Sequence, residues 1–353
     1  MNDVLVTGGA GFIGSNLIRA MQTARPEVTI VNLDALTYAG SIENLRDLPH
    51  ADRHIFVEGN ICDEPLLRRL LRDHDIDTVV NLAAESHVDR SIDGPAPFIE
   101  TNVVGTFRLL EAARAHRVKR FHHVSTDEVF GSLRPDDPAF SEQSAYLPSS
   151  PYSASKASSD HLVRAYWHTY RVPVTISNCS NNYGPYQFPE KLIPLVILNA
   201  LAGEPLPIYG DGKQVRDWLY VKDHCEGILA VLDRGQLGET YNFGGGNQPT
   251  NLEVVEAICA LLDEARPDPD GRRYARLIEL VPDRPGHDRR YAIDSDKAHA
   301  RLGWAPRHSL DQGLRATVEW YAANSQWIEA VREDSDHAVW LERNYGRRSS
   351  PPD

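Results

Sequence analysis

Short apolar runs alternate with amphipathic stretches along the first half of the chain. The apolar runs predict strands at residues 4–6, 28–33, 54–58, 78–82, 121–125 and 172–176, and helical spacing predicts helices at 15–21, 64–72, 95–116 and 150–170. Strands that alternate with helices are typical of a parallel sheet joined by right-handed crossovers. The pattern therefore predicts an α/β fold of the Rossmann type, with a doubly wound parallel sheet.

The pattern changes after residue 177. Residues 178–187 are polar and rich in turn formers, without strand or helix period, and we interpret them as the crossing into a second lobe. Beyond them we predict short strands at 217–221 and 240–243, and helices at 223–232 and from Leu252 and Leu310. The predicted division is a Rossmann domain over 1–177, with segments near 213–233 and 239–244 returning to it, a smaller C-terminal α/β lobe over 178–330, and a tail over 331–353.

A glycine-rich turn follows the first predicted strand and precedes a helix. Gly8, Gly11 and Gly14 have the GxxGxxG spacing that permits a tight turn and close backbone approach to a pyrophosphate. The second strand ends in Asp34, where a carboxylate can bind the adenosine ribose hydroxyls and would repel a 2′-phosphate. Asp34 could instead be only a cap of its strand. The pattern predicts that residues 1–177 bind NAD rather than NADP.

Thr126, Asp127 and Glu128 directly follow the fifth predicted strand. Ligands of open α/β sheets bind beyond the carboxyl ends of the strands. Two carboxyl groups in different environments can divide the acid and base roles that an elimination of water requires. The same pair could also be a solvated turn.

Tyr152 and Lys156 lie four residues apart in a predicted helix, so both side chains share one helical face. A nearby cation favours the phenolate, and we expect Lys156 to lower the pKa of Tyr152. Such a tyrosine can take the proton of a sugar hydroxyl as hydride leaves the same carbon. The alternative is an ordinary surface Tyr and Lys on an amphipathic helix.

The 353-residue chain carries a formal net charge of −13. This acidic balance argues against general binding of nucleic acid or of an anionic membrane. An anionic substrate therefore needs a local basic cluster, and the candidates are Lys191, Arg216, Arg284 and His287, in loops of the second lobe. Each of these could instead form a surface salt bridge, and the amides of 178–187 could bind a sugar or only the loop backbone.

The four cysteines are far apart and form no CxxC pair. They fit a reduced, cytoplasmic setting and predict neither a disulfide scaffold nor a metal site. No apolar run approaches the ~18 residues of a membrane span, so we expect no membrane segment. We also expect no signal peptide, because the first strand begins within a few residues of the start.

Seven segments resemble the extended short-chain dehydrogenase/reductase family, and most closely its dTDP-glucose 4,6-dehydratases. They are TGGAGFIG, NLAAESHVDRSI, STDEVFG, SPYSASKA, NCSNNYGPYQFPEKLIP, YGDGKQVRDWLYVKDH and RPGHDRRYAIDSDKA. The resemblance runs from residue 4 to about residue 325. The Thr-Asp-Glu triplet discriminates best, because epimerases of this superfamily tend to carry other residues at the positions of Asp127 and Glu128.

The resemblance implies a role for each residue of the catalytic set. Tyr152 would deprotonate the C4 hydroxyl of the glucose as its hydride moves to NAD, with Lys156 tuning the phenol and binding the nicotinamide ribose. Thr126 would hydrogen-bond the C4 oxygen. Glu128 would remove the C5 proton and Asp127 would protonate the leaving C6 hydroxyl, after which the hydride returns to C6. The product would be the 4-keto-6-deoxy sugar nucleotide.

The resemblance also implies the binding residues and a homodimer built on helices 95–116 and 150–170, although the first of these helices could equally be only core. The cofactor residues would be Gly8, Gly11, Phe12, Ile13, Gly14, Asp34, Thr37, Asn60, Ile61, Leu82, Ala83, Ala84, Tyr152 and Lys156. The nucleotide-sugar residues would be Ser86, His87, Thr126, Asn181, Glu190, Lys191, Leu192, Pro207, Tyr209, Arg216, Asn251, Arg284 and His287.

One residue departs from the family pattern, which often has Asp-Ile after the third strand where this chain has Asn60 and Ile61. An amide can still hydrogen-bond adenine, so we expect altered NAD affinity rather than lost binding. Three other functions stay open: a UDP- or CDP-hexose 4,6-dehydratase, a nucleotide-sugar 4-epimerase or decarboxylase, and a non-catalytic NAD-binding regulator. Regulators of this kind often lack the Tyr or the Lys, and both are present here.

Overall fold

The computed structural model describes residues 3–284 and 286–333. Eleven strands lie within this part of the chain. They are β1 (Asp3–Thr7), β2 (Thr29–Asp34), β3 (His54–Glu58), β4 (Thr78–Asn81), β5 (Arg120–Thr126), β6 (Val174–Cys179), β7 (Asn181–Tyr183), β8 (Leu206–Tyr209), β9 (Trp218–Tyr220), β10 (Thr240–Phe243) and β11 (Ile278–Val281).

Helices connect these strands and cover both faces of the main sheet. They are α1 (Phe12–Ala24), α2 (Glu64–Asp73), α3 (Val88–Asp93), α4 (Ala96–Phe98), α5 (Thr106–His116), α6 (Pro151–Tyr170), α7 (Leu192–Ala202), α8 (Val221–Arg234), α9 (Asn251–Ala265), α10 (Asp296–Leu302), α11 (Leu310–Ala323) and α12 (Ser325–Glu333). A π-helical segment, Ile99–Gly105, joins α4 to α5, and short 3₁₀ turns lie at Ile42–Leu45, Ala51–Arg53, Asp127–Phe130 and Tyr274–Leu277.

Seven strands form one parallel sheet in the order β10-β6-β5-β4-β1-β2-β3. The chain builds outward from β1 to β3 and then returns to place β4 on the other side of β1. This reversal makes a crevice beyond the carboxyl ends of β1 and β4, where doubly wound sheets bind ligands. The predicted Rossmann-type fold is confirmed.

Apolar side chains cover both faces of the sheet, which explains why its strands have nearly continuous apolar runs. On one face Leu17 and Ile18 of α1 and Ile228 of α8 pack against β1 and β2. On the other face α2, α5 and α6 contribute Leu67, Leu110 and Val163 to a second cluster. The sheet is therefore a rigid platform whose carboxyl edge stays free for polar side chains.

The second lobe is built from α7, α9, α11 and two small parallel sheets. Strand β7 pairs with β9, and β8 pairs with β11. Val196, Ile258 and Val318 are fully buried where the three helices meet. This apolar cluster packs the lobe above the carboxyl edge of the main sheet.

Several predicted elements are corrected by the structure. Residues 178–187, which were expected to hold no strand, include the end of β6 and all of β7. Strand β9, at the predicted strand 217–221, pairs with β7 rather than with the main sheet, whereas α8 packs on α1 and β10 joins the edge of the main sheet. The predicted helix 95–116 is interrupted by the π-helical segment.

Part of the predicted tail, residues 334–353, lies outside the described residues. Among the residues that are described, none of the helices combines the length and the apolar character needed to cross a bilayer.

Candidate active site

A cavity of about 420 Å³ lies at the reversal of the sheet, between its carboxyl edge and the second lobe. Every residue named above for catalysis, cofactor binding or substrate binding lines this cavity. The sequence separates these residues by up to 279 positions, from Gly8 to His287. The fold therefore joins the glycine turn, the Thr-Asp-Glu triplet and the basic loops into one site.

The glycine turn between β1 and α1 fits a bound pyrophosphate. Gly8 has a φ of +73°, and a Cβ there would lie 2.7 Å from the backbone nitrogen of Ala83. A Cβ at Gly14 would overlap the carbonyl oxygen of Gly8. Helix α1 begins after Gly11, which offers no side-chain cap, so the first N–H groups of the helix remain available to an anion.

Asp34 both organises the turn and lines the cavity. Its Oδ2 accepts a hydrogen bond of 2.8 Å from the Ala10 N–H, and its Oδ1 accepts one of 2.9 Å from the Leu36 N–H. Burial raises the pKa of Asp34, and these N–H groups oppose that rise. Asp34 can therefore cap the end of its strand and also bind a ribose in the cavity.

The Thr-Asp-Glu triplet forms the end of β5 and the start of a 3₁₀ turn. The Thr126 hydroxyl accepts a hydrogen bond of 3.2 Å from the Glu128 N–H, which caps the turn, and lies 3.4 Å from Oδ1 of Asp127. Asp127 is 1% exposed, and its Oδ2 has no hydrogen-bond partner among the described residues. Such an atom, facing a cavity, is available to a ligand.

The two adjacent carboxyl groups have different electrostatic surroundings. Burial raises the pKa of Asp127 well above its ordinary value, and the charges of Glu128 and Asp217 raise it further. Burial also raises the pKa of Glu128, but Arg284 and Lys191 oppose the rise. Both pKa values are raised, but burial and like charges favour the protonated form of Asp127 that can donate, whereas the nearby cations favour the ionised form of Glu128 that can accept.

Tyr152 and Lys156 face the same cavity from α6. The helix begins with a capping box in which Ser150 and Ser153 bind each other's backbone N–H, and with Pro151 in its first turn. Lys156 donates a hydrogen bond of 2.8 Å from Nζ to the Val124 carbonyl. The pair is fully inside the protein, which excludes the alternative of a surface Tyr and Lys.

The predicted lowering of the Tyr152 pKa is wrong for the protein alone. Burial raises the pKa of Tyr152 well above its ordinary value, and the nearby charge of Glu128 adds to the rise. A hydrogen bond with the Thr126 hydroxyl acts in the opposite direction. The prediction considered only the cation, whereas the fold encloses the phenol beside a carboxylate.

Basic side chains converge on the opposite wall of the cavity. Arg216 is 5% exposed, stacks 4.4 Å above the ring of Tyr291 and donates to the carbonyl of Asp288 at 2.9 Å. Lys191 donates to the carbonyl of Ser86 at 3.2 Å. These groups are not surface salt bridges, because they line a largely enclosed site where an anion would be bound strongly.

Arg284 and His287 are each positioned by a carboxylate. Arg284 binds Oδ1 of Asp89 at 2.8 Å, while its Nε has no hydrogen-bond partner among the described residues. His287 binds Oδ1 of Asp283 at 2.6 Å, although burial lowers its pKa to about 4. The arginine is thus held in a fixed direction with one donor still available.

Four of the remaining predicted substrate residues, Glu190, Tyr209, Asn181 and Asn251, supply polar oxygens and amides to the cavity wall. Glu190 binds the Arg90 guanidinium at 3.1 Å, and Tyr209 donates to Asp89 at 3.0 Å. The side-chain oxygens of Asn181 and Asn251 are buried without a hydrogen-bond partner among the described residues. Unpartnered buried amide oxygens in a cavity wall are suited to the hydroxyl groups of a sugar or nucleoside.

The cavity also contains residues that were not predicted as site residues. They include Tyr38, Glu85, Asp89, Thr101, Ser125, Cys179 and Trp218. Asp89 could have been predicted from the sequence, because it lies in the segment NLAAESHVDRSI at the end of β4, where polar residues face the site. In the described part of the chain, no cluster of three or more His, Cys, Asp or Glu side chains has the arrangement of a metal site.

Fold and cavity together define an extended short-chain dehydrogenase/reductase whose site is shaped for a dinucleotide and a second, anionic ligand. Residues 5–317 match the family described as GDP-mannose 4,6 dehydratase. A dTDP-glucose 4,6-dehydratase from Xanthomonas campestris pv. campestris (strain B100) is 58% identical over 340 residues, which cover 94% of this chain and 96% of the relative.

Two solved structures have the same fold. The dTDP-glucose 4,6-dehydratase of Bacillus anthracis in complex with NAD has a TM-score of 0.85 and 46% identity, covering 94% of this chain and 100% of that one. DesIV of Streptomyces venezuelae, a dTDP-glucose 4,6-dehydratase with NAD and TYD bound, has a TM-score of 0.86 and 48% identity, covering 93% and 99%. The chain belongs to the GDP-mannose 4,6 dehydratase family and, within it, to the dTDP-glucose 4,6-dehydratases. This confirms the family that the seven segments predicted.

Proposed function

We propose that this protein converts dTDP-D-glucose to dTDP-4-keto-6-deoxy-D-glucose and water, with NAD as a cofactor that is regenerated in each turnover. The observation that carries the proposal is the Asp127–Glu128 pair, which lines the cavity together with Tyr152 and whose two carboxyl groups have different neighbouring charges. An elimination of water needs both an acid and a base at that place. An epimerase needs no acid there. The choice of dTDP rests on the relatives, whose names specify it.

The glycine turn and Asp34 would hold the cofactor. The backbone of Gly8 and the first turn of α1 would bind the pyrophosphate, and the Asp34 carboxylate would bind the adenosine ribose. Asn60 would lie at the adenine. Bound NAD would supply the acceptor and donor of the hydride and a positive charge that, with Lys156, favours the phenolate of Tyr152.

Tyr152 would take the proton of the C4 hydroxyl. Thr126 shares a hydrogen bond with this phenol, so its hydroxyl would orient the phenol and the C4 oxygen toward each other. Lys156 would bind the nicotinamide ribose with the N–H bonds that it does not use on Val124. Enclosure of these groups strengthens their electrostatic interactions because little water screens them.

Glu128 and Asp127 would carry out the elimination. Oxidation at C4 acidifies the C5–H bond, and Glu128 takes that proton. Asp127, held neutral by burial and by Glu128, gives its proton to the C6 oxygen, which leaves as water. Glu128 would return its proton to C5 as the hydride reaches C6. Tyr152 would release to solvent the proton that it took from the C4 hydroxyl, and Asp127 would take one up, so that each group regains its starting state.

The basic wall would bind the diphosphate, and the polar wall would bind the nucleoside and the glucose. Arg216 and Arg284 provide fixed guanidinium donors, with Lys191 as a third positive charge.

The protein would act as a homodimer through the helical regions 95–116 and 150–170, and it would act in the cytoplasm. Its four cysteines, all free thiols, fit the reduced state of that compartment.

Turnover of dTDP-, UDP- and CDP-glucose by the purified protein tests the proposal. The 4-keto-6-deoxy product is followed by its absorbance in alkali, and the sugar products are separated by chromatography. We expect the highest kcat/KM for dTDP-glucose. Equal or greater kcat/KM for UDP- or CDP-glucose would overturn the nucleotide assignment, and formation of the galactose isomer without dehydration would support a 4-epimerase instead.

A further inference from the structure

A fully buried carboxylate lies directly behind Lys156. Asp160 is 0% exposed and follows Lys156 by four residues, so the two side chains lie on the same face of α6, their Cβ atoms about 5–6 Å apart. Its Oδ2 accepts hydrogen bonds of 2.9 Å from the Ser125 hydroxyl and 2.8 Å from the Tyr146 phenol. The steps described above do not use this carboxylate.

The groups around Asp160 keep it ionised. Its Oδ1 lies 3.4 Å from Nε2 of His123, and the guanidinium of Arg164 donates to the Tyr146 hydroxyl at 2.7 Å. Burial by itself raises the pKa of Asp160, but His123, Lys156 and Arg164 outweigh burial and hold the pKa below its ordinary value. Asp160 is therefore a carboxylate at neutral pH in spite of complete burial.

Lys156 needs such a partner because it is itself buried. Its side chain is 4% exposed, and burial lowers its pKa while Asp160 and Cys179 oppose the fall. Burial raises the pKa of the Cys179 thiol, so this group stays neutral and contributes little negative charge. His123 faces Lys156 from β5 and is also neutral, since burial lowers its pKa to about 4.

We propose that Asp160 is a positioning residue whose negative charge keeps the buried Lys156 charged beside Tyr152. It acts from behind the lysine, on the side away from the ligands. The importance of this charge for turnover rests on the proposed function, whereas the effect of Asp160 on the charge of Lys156 does not. Without the carboxylate, burial of a charged lysine is unfavourable, so the lysine would lose its proton at a lower pH.

A direct test is the titration of Lys156 itself. The chain has six lysines, so protein labelled with ¹³C at lysine Cε gives six signals, and Lys156→Arg identifies the relevant one. We expect Asp160→Asn to move the Lys156 titration to lower pH by about one pH unit or more, since one charge at this distance is removed. Asp160→Ser, which leaves room for water, serves if the Asn variant does not fold.

Tyr146→Phe is the matched control, because it removes a hydrogen bond to Asp160 but leaves the carboxylate charge. Its Lys156 titration should stay near that of the wild-type protein. An unchanged Lys156 titration in folded Asp160→Asn or Asp160→Ser protein would overturn the proposal, and so would an equal shift in Tyr146→Phe. Neither result depends on whether dTDP-glucose is the substrate.

The pH dependence of turnover supplies a second measurement. The proposed reaction requires the charged lysine. Asp160→Asn should therefore move the alkaline limb of the pH profile for nicotinamide reduction to lower pH. Below that limb, its rate should approach the rate of the protein that retains Asp160. Measuring this step in an Asp127→Asn background removes the elimination acid from the profile. A uniform loss of rate without movement of the limb would show that Asp160 only supports the fold.

Discussion

Replacement of Asp127 by Asn separates oxidation of the sugar from elimination of water. The two side chains have nearly the same shape, and Asp127 is 1% exposed, so the substitution leaves no cavity. Burial and the charges of Glu128 and Asp217 raise the pKa of the carboxyl group and favour its neutral form. An amide is also neutral, so we expect KM for dTDP-glucose to change little.

Loss of the proton donor should lower kcat. General acid catalysis by one positioned group contributes about 10²–10⁴-fold, which corresponds to about 3–5 kcal/mol of activation free energy. We expect Asp127→Asn to lower kcat for the 4-keto-6-deoxy product by this factor. Nicotinamide reduction should continue, because that step uses Tyr152 rather than Asp127.

Two measurements on one sample distinguish the steps. The alkali-dependent absorbance follows the dehydrated product, and the near-ultraviolet absorbance of the reduced nicotinamide follows the oxidation of the sugar. Asp136→Asn, at an exposed position in the following loop, is the matched control and should behave as the wild-type protein. If Asp127→Asn retained dehydration within about twofold of wild type, Asp127 could not be the acid.

Three further substitutions test the cofactor site and the core. Gly14→Ala should abolish copurification of NAD, because the added methyl group overlaps the turn, whereas Gly94→Ala, which has open space, should leave it unchanged. Asp34→Asn should weaken NAD binding, measured by calorimetry, by roughly 10–100-fold because charged hydrogen bonds are lost. It should also reduce the preference for NAD over NADP, and an unchanged preference would contradict the role of Asp34. Leu5→Ala should lower the free energy of unfolding by about 2–5 kcal/mol in denaturant titrations, while Leu147→Ala, 70% exposed, should change it by less than about 1 kcal/mol.

The sheet and the edge that carries the site could be predicted from local patterns. Strands β3 and β10 have the same limits in the sequence and in the structure, and a glycine directly follows each of them. The triplet at Thr126 and the glycine turn were placed correctly for the same reason. Each follows a strand whose end is marked in the sequence, and parallel strands bring those ends to one edge.

The elements that were missed depend on tertiary packing. Helix α7 is apolar on nearly all sides, so its sequence has no amphipathic period, and its burial between α9 and α11 explains why. Strand β7 is a short polar segment that exists because β9 pairs with it. The pKa direction of Tyr152 was wrong because its burial and its distance from Glu128 are set by the fold, not by the spacing to Lys156.

The fate of the hydrogen at C4 tests the proposed reaction most directly. The protein is incubated with dTDP-glucose that carries deuterium at C4, and the position of the label in the product is determined by NMR and mass spectrometry. Because one bound nicotinamide would take up the hydride and return it to the same sugar, we expect the deuterium at C6 of the 4-keto-6-deoxy product. A dehydrated product without deuterium at C6, or a hexose that retains its C6 hydroxyl, would contradict the proposed reaction.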